Sequence, residues 1–232
     1  MTKVNFNYNL KKDAWSWVLI AKDKDMWGLD WRSQIAQIPG ELLEKIERVD
    51  FSQAQKIVED YIKNDLEKGY KNKVMYCEMQ ALEKSWRIVE KKYFAILSKI
   101  TQRPIFTDEF DCYFTTGLMC PYNEKENWFM VSMWHSIPFS ITTICHEIMH
   151  LQFLHHYKRY LKKRGLKKDQ IEKLKESLTF ILNEKEFSDI ILCDDSGYPD
   201  HQKLRTKLQK IWQKEKNFKR FIDLAITESK RK

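Results

Sequence analysis

One amphipathic stripe constrains the fold of this chain more than any other feature of its sequence. Between Tyr76 and Thr101, apolar side chains recur at steps of three and four residues, with mostly charged and polar residues between them. The stripe consists of Met79, Leu82, Trp86, Val89, Tyr93, Ile96 and Ile100. This period is typical of a helix that packs one face against a core. Similar spacing extends over most of Leu10 to Arg103, so residues 1–103 are predicted to form a helical N-terminal region packed on the rest of the protein.

The segment that follows has a different character. Asp111 to Met119 and Trp128 to Trp134 are rich in aromatic and β-prone residues, and a Pro121-Tyr122-Asn123 turn lies between them. Alternating β-formers on both sides of a turn are typical of two paired strands. We therefore expect a small antiparallel hairpin.

Helical periodicity returns in the second half of the chain. A first helix is predicted to begin at Ser140, a good N-cap residue, and to end near Tyr160 or Arg164. The later helices are predicted at about Lys168–Leu192, His201–Gln213 and Phe218–Glu228. The predicted fold class is α+β and predominantly helical, with residues 104–232 forming a core with C-terminal helices, in one compact unit with residues 1–103.

Composition excludes several classes of protein. With 43% hydrophobic residues, six Gly and five Pro in 232 residues, the chain has the make-up of a folded globular protein. Its five cysteines are scattered and include no CxxC pair, which favours a reducing compartment. The apolar run from Trp15 to Ala21 is too short to span a bilayer. We expect a soluble, cytoplasmic protein without a membrane partner.

The formal net charge is +8, from 41 Lys and Arg against 33 Asp and Glu. Much of the excess lies in Lys158–Lys175 and Lys214–Lys232. Such stretches can attract nucleic acid. Most of these lysines, however, alternate with acidic and apolar residues at helical spacing, which favours a solvated helix face, so a nucleic-acid partner is possible but not favoured.

The sequence His146-Glu147-Ile148-Met149-His150 carries the chemistry. Two histidines four residues apart on a helix project from one face about 6 Å apart along the axis, so both imidazoles can reach one ion. Zinc suits this pair, because it accepts imidazole nitrogen and lowers the pKa of bound water to about 7. Glu147 lies beside the pair, where it can take a proton from that water. The helix is apolar nearly all round, which indicates burial and favours a ligand for the histidines.

The sequence constrains the third metal ligand less than it constrains the two histidines. His156 stands ten residues after His146, but Phe153 occupies the position where a helix-breaking Gly would be needed, and in an unbroken helix His156 lies about 15 Å further along the axis. His155 points to roughly the opposite side. Both are predicted to be partly exposed helix residues.

Glu176 is the preferred third ligand, because it continues an apolar stripe of the following helix, where a carboxylate is costly unless paired or bound to metal. The alternatives are Glu184 and Glu186. If both helices run unbroken to a turn at Gly165, Glu184 is level with the two histidines. If the first helix instead ends near Leu161, Glu176 is level with them. We favour Glu176, with Lys162 to Arg164 assigned to the loop.

HEIMH followed by a helix-borne glutamate resembles the gluzincins, the thermolysin-like branch of the zincins, over roughly residues 128–201. The segments KESLTFILN and DDSGYPDH also look like a group of short, uncharacterised bacterial zincin-like proteins. The resemblance implies a zincin-like core in which His146, His150 and Glu176 bind zinc and Glu147 is the general base. In zincins an edge strand above the cleft pairs with substrate, and Trp128–Met133 is either that strand or a strand of the core. Tyr198 and His201 are the candidate donors for transition-state stabilisation.

The predicted function is therefore that of a zinc-dependent hydrolase, specifically a metallopeptidase acting on a peptide or protein. Two alternatives remain. One is a regulatory zincin that cleaves a single dedicated partner, and the other is a zincin delivered to nucleic acid by its basic C-terminal region.

Overall fold

The computed structural model describes residues 2–22, 27–32, 38–67 and 70–230. The strands are β1 (Lys3–Tyr8), β2 (Glu109–Thr115), β3 (Tyr122–Asn123) and β4 (Trp128–Ser132). The helices are α1 (Leu10–Lys22), α2 (Gly40–Glu47), α3 (Phe51–Glu67), α4 (Lys71–Thr101), α5 (Ile137–Lys163), α6 (Lys168–Leu178), α7 (Gln202–Lys214) and α8 (Phe218–Lys230). Helices dominate and the strands form one small sheet, which confirms the predominantly helical α+β class. Within these ranges, no helix is both long and apolar enough to cross a bilayer.

The sheet is mixed, with the order β1-β2-β4-β3. β2 runs parallel to both β1 and β4, and only β3 is antiparallel to β4. The prediction of a small antiparallel sheet, made of one hairpin, is therefore wrong. Residues 116–127 are long enough to carry the chain back to the starting end of β2, as a parallel connection requires. Every residue of β4 is buried, as expected for a strand covered on both faces.

β4 is a buried strand of the core and not an edge strand, so of the two interpretations of Trp128–Met133 the substrate-pairing edge strand is wrong and the core strand is confirmed. It lies between β2 and β3. Residues that precede β3 cover the rest of β4: the Met130 N–H donates to the carbonyl of Pro121 at 2.9 Å, and the Ser132 hydroxyl donates to the carbonyl of Gly117 at 2.6 Å. The connection between β2 and β4 thus covers the edge that a substrate would need.

β1 is a strand within the region predicted to be helical. Val4, Phe6 and Tyr8 alternate with polar residues, a period that favours a strand. Val4 is fully buried, and its N–H donates to Glu90 Oε1 of α4 at 2.8 Å. The N-terminal region therefore contributes both helices and an outer strand of the sheet.

The predicted helix around the amphipathic stripe is confirmed as α4, and the last two predicted helices are confirmed as α7 and α8. Two predicted boundaries are wrong. α5 begins at Ile137 rather than Ser140, because Ser136 is the N-cap and its hydroxyl accepts from the Phe139 N–H. α6 ends at Leu178 rather than near Leu192, and 3₁₀ turns follow at Thr179–Asn183 and Lys185–Phe187.

The residues that directly follow α6 bind another segment of the chain through their side chains. The Thr179 hydroxyl donates to Asp195 Oδ1 at 2.8 Å, and the Asn183 amide exchanges two hydrogen bonds with the backbone of Asp195. These contacts favour turns over further helix, since Thr and Asn side chains compete with helical hydrogen bonding. They also bring Asp195 back beside α5.

Candidate metal centre

The HEIMH motif lies in the interior of the protein on α5. His150 and Glu147 are buried, and the His146 side chain retains 14% of its exposure. The two imidazole centroids are 4.1 Å apart, so both rings project from one face of the helix. On the other side of the helix backbone, the Tyr93 hydroxyl of α4 donates to the carbonyl of Cys145 at 2.6 Å. α5 is thus fixed where it carries the motif.

Glu176 of α6 completes a cluster with both histidines. Its Oε2 lies 3.1 Å from His150 Nε2 and 3.4 Å from His146 Nε2. The three ligand atoms lie within 4.8 Å of one another, as one metal ion requires. Two ligand atoms at the usual distance from one tetrahedral zinc ion are roughly 3.3 Å apart. The two distances from Glu176 Oε2 to the histidine nitrogens, 3.1 and 3.4 Å, are therefore close to the spacing that zinc requires.

The other candidate ligands lie elsewhere. Glu184 pairs with Lys216 at 2.9 Å, and Glu186 is exposed. His155 stacks on Phe106 with centroids 4.3 Å apart, and His156 Nε2 donates to the carbonyl of Pro104. Of the four, none joins the cluster of His146, His150 and Glu176.

Glu176 lies beside the histidines, although the assignment of Lys162 to Arg164 to the loop, on which its prediction partly depended, is wrong. Lys162 and Lys163 belong to α5, and Arg164 is its C-cap rather than part of a longer loop. From His150 to the end of α5 is about 20 Å of helix, whereas Glu176 lies only about 12 Å beyond the start of α6. Helices running side by side from a tight turn at Gly165 would not bring these residues level, so the sequence spacing alone does not reveal how Glu176 reaches the histidines.

Asp195 binds His146 through the ring nitrogen that does not face Glu176. Its role is not predicted from the sequence. The His146 Nδ1–H donates to Asp195 Oδ2 at 2.5 Å, which turns Nε2 toward Glu176. Asp195 Oδ1 accepts from Thr179 and pairs with Arg205 Nη2 at 2.9 Å. A carboxylate behind a ligating imidazole fixes its tautomer and orientation. The only available signal was the position of Asp195 within the DDSGYPDH segment.

Glu147 faces the opening of the centre. Its Oε2 is buried and finds no hydrogen-bond partner among the described residues. Burial raises the pKa of Glu147 to about 8, although the nearby His146 opposes this shift. A buried carboxylate oxygen without a partner is rare in proteins. Here it points to a missing polar or cationic neighbour.

The protonation states of His150, Asp195 and Glu176 follow from their burial and from the charges of their neighbours. Burial lowers the pKa of His150 to about 3, despite the Glu176 carboxylate, so its imidazole is neutral as a metal ligand must be. Burial opposes ionisation of Asp195, but His146 and Arg205 lower its pKa to about 2. For Glu176, the neighbouring His150 and Lys175 outweigh burial and hold the pKa well below its usual range.

A cleft of about 380 Å³ opens beside the motif. His146, Glu147 and Tyr198 line one part of it, and its apolar wall includes Leu29 and Phe139. The Tyr198 ring lies against Trp27, with centroids 4.8 Å apart. Burial raises the pKa of Tyr198, so its hydroxyl stays protonated. Tyr198 is therefore placed with the motif, as a donor to a bound substrate would be.

His201, the second candidate donor, does not line this cleft. It is buried, lines a separate cavity of about 610 Å³, and has its ring centroid 5.9 Å from that of Tyr198. Its Nδ1 has no hydrogen-bond partner within the described part of the chain. The structure thus associates His201 with Tyr198 rather than with the cleft itself.

Comparison of the chain with protein-family models, with curated proteins and with solved structures gave no match.

Proposed function

We propose that the protein is a zinc-dependent hydrolase and that its substrate is a peptide or protein. One observation carries the proposal: two imidazole Nε2 atoms and one carboxylate oxygen converge beside an open cleft. Glu147 also lines this cleft, and its buried Oε2 has no hydrogen-bond partner in the described part of the chain. Two histidines and a glutamate are a donor set typical of catalytic zinc, which keeps one position open. The proposal includes a zincin-like core, in which the motif helix and the next helix supply the ligands.

Zinc bound by His146, His150 and Glu176 would lower the pKa of a water molecule to about 7 and polarise a substrate carbonyl. The positive charge of the zinc would also lower the raised pKa of the neighbouring Glu147, whose carboxylate could then accept a proton from water in the cleft and return it to the leaving amine. The Tyr198 hydroxyl donates a hydrogen bond to the oxygen that gains charge. His146, Glu147 and Tyr198 line the cleft, and His150 contacts Glu176.

Charge pairing supports a peptide over nucleic acid as the substrate. Several basic residues of the two lysine-rich stretches have acidic partners, for example Lys158 with Glu124, Arg164 with Asp223 and Lys216 with Glu184. Such pairs reduce the positive field that a phosphate backbone requires. The scattered cysteines favour a reducing compartment, and we propose that the protein acts in the cytoplasm.

The test is hydrolysis of a fluorogenic peptide library by the full-length, zinc-supplemented protein. Glu147→Gln should retain zinc and lose about 10²- to 10⁴-fold in activity, because a positioned general base contributes that much. Glu186→Gln is the matched control, since it makes the same change at an exposed glutamate, and it should leave activity unchanged.

Full activity of Glu147→Gln would contradict the proposed mechanism. A wild type that binds zinc but cleaves nothing in the library would contradict a general peptidase and favour the partner-specific alternative.

A further inference from the structure

Lys175 is a charged residue in an almost fully enclosed position, directly behind the metal centre. Only 1% of its side chain is exposed. A buried ammonium group costs several kcal/mol unless its charge and its hydrogen bonds are matched. Lys175 Nζ meets that requirement through three neighbours: Glu176 Oε1 at 2.9 Å, Glu172 Oε2 at 2.9 Å and the Tyr122 hydroxyl oxygen at 2.8 Å.

The contact with Lys175 divides the two oxygens of Glu176 between different partners. Oε1 is held by the ammonium group, whereas Oε2 faces His150 and His146. The Tyr122 hydroxyl and Glu172 also bind the ammonium group, which anchors it independently of Glu176. Glu176 is thus oriented by a contact that does not involve the histidines.

We propose that Lys175 is a positioning residue that restricts Glu176 to binding the metal through one oxygen. This inference rests on the zinc site of the proposed function. A carboxylate can bind a metal through one or both of its oxygens. Because Lys175 retains Oε1, only Oε2 is available, and one position of a four-coordinate ion stays open for water and substrate.

The test compares zinc-loaded, full-length wild type with Lys175→Met by X-ray absorption spectroscopy. Methionine keeps most of the side-chain volume but releases Oε1. We expect Lys175→Met to gain one oxygen in the first coordination shell of zinc. Lys173→Met is the matched control, because Lys173 lies on the same helix but is exposed, and its spectrum should equal that of the wild type.

Loss of Lys175 also leaves Glu172 without its cation. If Lys175→Met does not fold, as judged by circular dichroism, the double variant Lys175→Met/Glu172→Gln removes this second carboxylate and should show the same additional oxygen. Equal first shells in wild type and in the folded variant would overturn the inference, since a purely structural lysine would leave coordination unchanged. A wild type that binds no zinc would overturn the proposed function with it, whereas zinc binding without peptide hydrolysis would contradict only the hydrolase proposal.

Discussion

Asp195 shows how a single residue couples the metal centre to the surrounding structure. One carboxylate oxygen accepts from His146, and the other meets Thr179 and Arg205. The Arg205 Nη1–H also donates to the Thr179 hydroxyl at 2.8 Å. The orientation of the first histidine therefore depends on the 3₁₀ turn after α6 and on α7 as well as on α5.

We predict that Asp195→Asn weakens zinc binding by about 10- to 100-fold, because groups behind a metal ligand typically contribute that much to metal affinity. The amide removes the negative charge that favours the Nδ1–H form of His146. Competition titration with a zinc chelator measures the effect. Asp194→Asn is the control, because Asp194 is exposed and should leave affinity unchanged. An Asp195→Asn protein with wild-type affinity would show that Asp195 does not orient His146.

The sequence identifies the residues of the centre that follow a local pattern and misses those that depend on tertiary contacts. His146, Glu147 and His150 are set by helical spacing alone, and Glu176 by its place on an apolar helix face. Asp195 lies 49 residues from His146, and Lys175 looks like one more lysine of a solvated helix. Their roles follow from the packing of α6 against α5 and from the return of the chain after α6.

At the scale of elements, a buried carboxylate joins α1 to the end of β2. Asp13 Oδ1 accepts from the Thr115 hydroxyl at 2.7 Å and from the Thr116 N–H at 2.8 Å. Its Oδ2 accepts from the Thr116 hydroxyl at 2.8 Å and from the Tyr8 hydroxyl at 3.0 Å. One side chain thus ties the first helix to β1 and β2.

We predict that Asp13→Ala lowers the free energy of unfolding by at least about 3 kcal/mol, because several buried donors lose their acceptor at once. Urea denaturation followed by circular dichroism measures the loss. Asp60→Ala is the control, since Asp60 is an exposed partner of Lys56, and little change is expected. A similar midpoint for the two variants would contradict the structural role of Asp13.

The sequence predicts the helices of this fold better than its strands. α4, α7 and α8 follow from apolar spacing, because a helix forms its hydrogen bonds locally. Strand pairing is set by residues that are distant in sequence. The aromatic segments on both sides of the Pro121 turn therefore predict the two strands but not that they run parallel. β4 reads as a continuous apolar run, which is typical of a parallel strand and could have excluded the hairpin.

In the whole molecule, the proposed metal centre joins parts of the chain that are distant in sequence. α5 and α6 carry its proposed ligands, Asp195 follows them, and Leu29 and Trp31 of the N-terminal region line the cleft. Since the unfolded chain does not hold these groups together, zinc that binds the folded protein also stabilises it.

We predict that zinc at 100 times its dissociation constant adds about 2.7 kcal/mol to the free energy of unfolding. For a chain of this length, that gain corresponds to a rise in Tm of roughly 5–10 °C. Calorimetry with zinc and with excess chelator measures the difference. His150→Ala should abolish it, whereas His156→Ala should preserve it, because His156 lies outside the cluster. Equal Tm values for the wild type with and without zinc would contradict coupling between the metal and the fold.

The proposed metal centre is tested most directly by the zinc content of purified wild type, Glu176→Ala and Glu184→Ala, measured by elemental analysis after dialysis against trace zinc. We predict about one zinc per wild-type and per Glu184→Ala chain, and a large loss in Glu176→Ala. Full zinc content in Glu176→Ala together with loss in Glu184→Ala would contradict the assignment of the third ligand. A wild type without zinc would contradict the metal centre altogether.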